Sequence, residues 1–162
     1  MTFKPLLKRS FILVFLLTFS NVNHAQSLSG GSLENIFFSK NERLQVTLGN
    51  LNKYSEKYKV SVSKLHFNVN DVTRLINNID KDNSDKQLSD FFSKTKPEST
   101  TKRKINKVFK FAAGRTLKVK VPVFNLEPNR LNFYRICSES EPKGGYAYEV
   151  CTHSVIYYSQ KK

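Results

Sequence analysis

The sequence predicts an α+β domain, with N-terminal helices followed by a C-terminal antiparallel β-sheet that ends in a disulfide-linked hairpin. Three observations carry this expectation. Apolar residues recur at helical spacing before residue 92, apolar and cationic residues alternate over 117–121, and two cysteines flank a glycine turn near the C-terminus.

The chain opens with Lys4, Lys8 and Arg9, followed by an uncharged apolar run from Phe11 to Phe19 and a polar stretch that reaches small residues at Ala25 and Ser27. A basic head, a short apolar segment and small residues form a secretory signal peptide, with cleavage after Ala25 or after Ser27. The apolar run falls well short of the roughly 20 residues that a spanning helix needs. Residues 1–25 are therefore expected to be removed, leaving 26–162 as a single mature domain, periplasmic or secreted. That domain carries 24 basic against 13 acidic residues, a net charge of +11. Such a surplus attracts acidic proteins, anionic polymers and lipid headgroups.

Within the mature chain, 26–92 reads as a helical and mixed half, 93–103 as a connector and 104–162 as a β-rich half. Ser39 and Glu42 form an S-x-x-E capping box, and Leu44, Leu48 and Leu51 follow at helical spacing. They predict a helix from Asn41 to Tyr54, weakened by about 1 kcal/mol at Gly49 relative to alanine. From Tyr58 to Val69 the pattern alternates, with Val60 and Val62 in one phase and Leu65, Phe67 and Val69 in the other. This is a strand with a slip near Lys64. A second helix, capped by Asn70 or Asp71, presents Val72, Leu75, Ile76 and Ile79.

Residues 80–91 resemble an EF-hand calcium loop at positions one, three and five. Asp85 stands where the loop needs glycine and Phe91 where it needs a bidentate glutamate, so a solvated turn and a short helix docking Leu88, Phe91 and Phe92 are expected instead. The connector 93–103, with Pro97 and Ser99-Thr100-Thr101, is short of large apolar residues.

Beyond it lie Lys102, Arg103, Lys104, Lys107, Lys110, Arg115, Lys118 and Lys120, with no acidic residue until Glu127. This basic patch is the candidate binding site. Leu117, Val119 and Val121 alternate with Lys118 and Lys120, placing an apolar row toward the core and cations away from it. Val108–Phe111 is expected to be the hairpin partner of this strand. Pro122 cannot donate to a ladder, which places the strand at an edge.

Cys137 and Cys151 flank Lys143-Gly144-Gly145. A turn centred on Gly144 sets Cys137 opposite Cys151, Arg135 opposite His153, Phe133 opposite Val155 and Leu131 opposite Tyr157. Export offers an oxidising compartment, so a disulfide is expected. Tyr134, Tyr146 and Tyr148 are candidates for an aromatic binding surface.

The opening Ile36-Phe37-Phe38-Ser39-Lys40-Asn41-Glu42-Arg43 resembles, over eight residues, that of some small exported bacterial proteins, several linked to pilus or secretion machinery. The sequence contains no complete catalytic, cofactor or metal motif and no nucleic-acid-binding motif. It points to a non-enzymatic accessory protein of the cell envelope, related to pilus, secretion or conjugation, that docks an acidic partner on a basic strand pair. The alternatives are a secreted effector or toxin-like protein that binds anionic surfaces, and a small hydrolase or nuclease using His153 and Glu149.

Overall fold

The computed structural model describes residues 26–29, 35–37, 43–51, 55–140 and 148–159. The expected signal segment 1–25, the expected capping-box residues Ser39 and Glu42, the expected turn at 143–145 and Tyr146 lie outside the described residues. No described helix is long and apolar enough to cross a membrane.

The architecture overturns the α+β expectation: the described chain is mostly β-sheet, with only two short helices. Its elements are β1 (Gln26–Ser29), β2 (Asn35–Phe37), β3 (Arg43–Asn50), β4 (Glu56–His66), α1 (Val69–Asn78), α2 (Ser84–Lys94), β5 (Ser99–Phe111), β6 (Thr116–Pro122), β7 (Leu131–Ser140) and β8 (Glu149–Tyr158). A three-stranded sheet runs β1-β3-β6 and a five-stranded sheet runs β2-β8-β7-β4-β5. All pairings are antiparallel except β2 with β8.

The segment expected to be the first helix is β3. Leu44, Val46 and Leu48 alternate with Arg43, Gln45 and Thr47, and only the first set is deeply buried. Val46 and Thr47, both β-branched, fit the pleat of a half-buried strand better than a helix. Leu51, which completed the helical spacing, is exposed. β3 takes the place beside β6 that Val108–Phe111 was expected to fill, with Leu44 opposite Val121 and Leu48 opposite Leu117. β5 joins the other sheet instead, beside β4. It also takes in Ser99–Arg103, so the connector reading fails there. A polar strand is tolerated because β5 is an edge.

The phase change along β4 follows from burial on both faces. Val60 and Val62 enter an inner core between the sheets with Leu44, Val46, Leu48, Val121, Ile136 and Ile156. Leu65 points the opposite way, into an outer core where Phe67, Phe133 and Val155 meet Leu75, Leu88 and Phe91 of the helices. The backbone stays in phase at Lys64, which remains paired with Thr101 and Tyr134. Fully burying one such aliphatic side chain is worth about 1.5–3 kcal/mol, so the two cores dominate stability.

Asn68 caps α1 in place of Asn70 or Asp71: its Oδ1 accepts from the Asn70 amide at 2.9 Å. Leu75 is buried, while Ile76 faces out. Asp80 closes the following turn by accepting from the Asp82 amide at 3.3 Å. Leu88 and Phe91 of α2 then dock on the sheet as the turn-and-helix reading expects.

The C-terminal hairpin has the register expected of it. Cys137 pairs with Cys151, Arg135 with His153, Phe133 with Val155 and Leu131 with Tyr157. The two cysteines are joined in a disulfide.

Candidate functional site

The basic residues do not lie on one hairpin. β5 ends the five-stranded sheet and β6 ends the three-stranded sheet, and the chain crosses between them through the turn at 112–115. Among the described residues, the outer side of each strand is unpaired. Asn50 fixes the crossover: its Nδ2 donates to the carbonyls of Phe111 at 3.2 Å and Ala112 at 3.1 Å, and its amide donates to the Arg115 carbonyl at 2.9 Å. Gly114 sits in the turn at φ +64°, a left-handed conformation that a Cβ would strain.

All eight predicted cations are exposed. Lys102, Arg103, Lys104, Lys107 and Lys110 lie on β5, Arg115 in the turn, and Lys118 and Lys120 on β6. The two edges approach through Arg103, whose guanidinium lies 4.8 Å from the centroid of the Phe124 ring beyond β6. Lys107 lies 5.2 Å from the Phe109 ring centroid. Lys102 pairs with Glu149 at 3.7 Å.

The β5 edge is irregular. Lys59 of β4 pairs with Val108 and Ser61 with Lys104, so Val60 alone faces Ile105, Asn106 and Lys107. This bulge borders a cavity of about 280 Å³ whose polar lining is Lys59, Ser61, Lys102, Lys104, Lys107 and Glu139. Sequence alternation gave no sign of it, because a bulge is defined by long-range pairing.

Tyr134 is not part of an aromatic surface: it is fully buried, and its hydroxyl donates to the Phe124 carbonyl at 2.5 Å. Burial, with a smaller contribution from the charge on Glu127, raises its pKa well above the ordinary phenol value. Tyr148 is exposed, as is Tyr157, which the candidate surface omitted.

Beside Tyr134 lies a buried cation that sequence reasoning missed. Lys64 is 3% exposed and donates to the Asn125 carbonyl and to Glu127 at 2.7 Å. That hydrogen bond holds the Glu127 carboxyl below its ordinary pKa against the opposing effect of burial. Asn132 braces the same loop, accepting from the Glu127 amide at 2.8 Å and donating to its carbonyl at 3.0 Å.

The pair imagined for hydrolysis is engaged in other contacts. His153 stacks on Phe92 with ring centroids 4.1 Å apart, and burial together with Arg135 lowers its pKa. Glu149 is ion-paired to Lys102. Glu149 also converges with Cys137 and Cys151, but the disulfide uses both sulfurs, leaving one competent metal ligand in the group.

The sequence matches no protein-family model and no curated protein sequence. Solved structures show a distant likeness. The E. coli chaperone DraB aligns with a TM-score of 0.46 at 12% identity, over 83% of this chain and 55% of that one. The CsuC–CsuE chaperone–tip adhesion subunit pre-assembly complex of Acinetobacter baumannii Csu pili gives 0.44 at 12% identity, over 83% of this chain and 52% of that one. PapD-like domain 7 of human CEP192 gives 0.47 at 9% identity, over 100% and 99%. This chain thus spans about half the length of each of these two bacterial chains. At TM-scores this low the likeness carries no argument about function.

Proposed function

We propose that the protein is an exported, non-enzymatic interaction protein of the bacterial cell envelope that takes up an acidic, extended segment of a protein partner along β5. One observation carries this reading. β5 is a thirteen-residue edge strand with five exposed cations and no carboxylate, and no described strand covers its outer side. An open edge offers a ladder of amides and carbonyls to an incoming strand, and side-chain charge selects which strand is accepted.

Lysines on an edge also prevent aggregation, because a second copy of the same strand is repelled. That protection and the proposed docking are compatible. The row of cations that rejects another β5 attracts an acidic strand, and the long uninterrupted stretch Ser99–Lys104 leaves room for one to pair. The cationic edge supports an acidic partner, while the signal-peptide pattern supports a periplasmic or extracellular one.

The test is amide hydrogen exchange on the mature chain with an alternating glutamate–valine peptide. Strand addition should protect amides of β5 that are unprotected in the free protein, and Lys102→Glu with Lys104→Glu should abolish the protection. Salt-sensitive binding that leaves β5 exchange unchanged would reject strand addition.

A further inference from the structure

We propose that the cavity beneath the β5 bulge is a binding site for a phosphate monoester group. This goes beyond the edge-docking reading and does not depend on it, since the cavity is lined by Lys59 and Ser61 of β4 and Glu139 of β7 as well as by β5 residues, away from the open side of β5.

The bulge borders the cavity. Three β5 residues stand opposite one residue of β4, and about 280 Å³ of space lies beside Ser61. Ile105 and Val108 form apolar walls. Such walls lower the local dielectric and strengthen any ionic contact made against them.

The charge around this space suits a dianion. Lys59, Lys102, Lys104 and Lys107 line it, and Glu139 is the carboxylate in the lining. Glu149 adds a second, through its 3.7 Å pair with Lys102. Lys102 is taken up by Glu149, and among the described residues neither Lys104 nor Lys107 has a carboxylate partner, which leaves a surplus of two ammonium groups for an anion. A phosphate monoester carries about −1.5 to −2 at neutral pH and three acceptor oxygens, so it matches that surplus better than a single carboxylate does. Among the described residues Lys104 has no counter-ion. Lysine ammoniums are compact, freely rotating donors, and the Ser61 hydroxyl adds a neutral one. The phosphate can come from a lipid headgroup or from a soluble ester, and the chemistry of the site is the same for both.

The probes are glycerol phosphate, and vesicles of phosphatidylcholine with or without phosphatidic acid. Calorimetry on the mature chain should show saturable, one-to-one binding of glycerol phosphate, with lysine side-chain NMR shifts at Lys104 and Lys107. The variant Lys104→Gln with Lys107→Gln should weaken binding by at least about tenfold, the equivalent of one charge-assisted hydrogen bond. Lys86→Gln with Lys96→Gln removes the same charge from exposed positions elsewhere and should leave affinity within a factor of about two. Retention on phosphatidic acid vesicles that glycerol phosphate competes away would identify a lipid source. Glycerol phosphate binding without vesicle retention would identify a soluble one. Non-saturable binding, or equal weakening by both double variants, would overturn the site.

Discussion

The two faces of the five-stranded sheet are covered in different ways. The inner face meets the second sheet through aliphatic residues such as Val62, Ile136 and Ile156 against Val46, Leu48 and Val121. Among the described residues, the outer face is covered at one end, by two helices held through rings: Phe67 lies 4.8 Å from Phe91 and 5.3 Å from Phe133, centroid to centroid. Helices of 10 and 11 residues have little stability of their own, so α1 and α2 persist because these rings bury against the sheet. Loss of the inner core should unfold the domain as a whole, whereas loss of the outer one should release the helices first. Cys151 borders a space shared with Asp85, Ser89 and Phe92 of α2, whereas no helix residue lines the lysine-rich cavity.

The largest expected effect breaks the inner core. Ile136→Ala should cost about 3–4 kcal/mol of global stability, read as a shift of the urea midpoint. Protection in β3 and β6 should fall with that in β7; selective loss in the helices would contradict the assignment of Ile136 to the shared core.

Next comes the staple. Replacing Cys137 and Cys151 by serine should cost about 3 kcal/mol in the chain-entropy model. The loss should be visible as a lower melting temperature in non-reducing buffer, and an unchanged melt would show that the hairpin holds without the link. Phe91→Ala follows at about 2–3 kcal/mol, less than a full ring deletion because the helix can undock and hydrate the site. Amides of 84–94 should lose protection while those of β3 and β6 keep theirs.

The smallest effect is one of pH and again separates the two faces. His153 has a folded pKa below its ordinary value of 6.5, through burial and Arg135. The unfolded chain therefore binds the proton more readily, and the contribution of neutral His153 is complete above 6.5 and lost as pH falls toward the folded value. Exchange in α2 should rise over that range, and His153→Gln should remove the rise. Glu127, held below 4.5 by Lys64, acts at lower pH. Its contribution is present above the ordinary carboxylate value and lost as pH falls through the folded value, which should loosen the loop at 123–130 after α2 has already responded. The reverse order of loosening would misplace one of the two groups.

Much of the C-terminal half was legible because its signals are local. The hairpin register follows from two cysteines and a glycine turn, and the lysine alternation of β6 follows from its pleat. The N-terminal half misled because Leu44 and Leu48 satisfy both a helical and a strand period, and Val46 between them decides for the strand. Ser99–Arg103 lacked the apolar residues that mark an interior strand, yet an edge does not need them. The cations of the candidate site were readable one by one. Their division between two sheets was not, because it depends on β3 pairing with β6 and β4 with β5. Lys64 escaped notice for a similar reason: its partner Glu127 is distant in sequence and meets it only when β4 packs beneath the 123–130 loop.

The crossover from β5 to β6 also bears on how the chain reaches this state. Leu44 and Val121, paired neighbours in the three-stranded sheet, are 77 residues apart in sequence. A chain emerging amino terminus first must hold β3 without its β6 neighbour until three-quarters of its length has appeared. Contacts this remote slow folding, because loop closure is entropically costly before any contact rewards it. During that interval the uncovered β3 edge is open to protease attack and to pairing with the wrong strand.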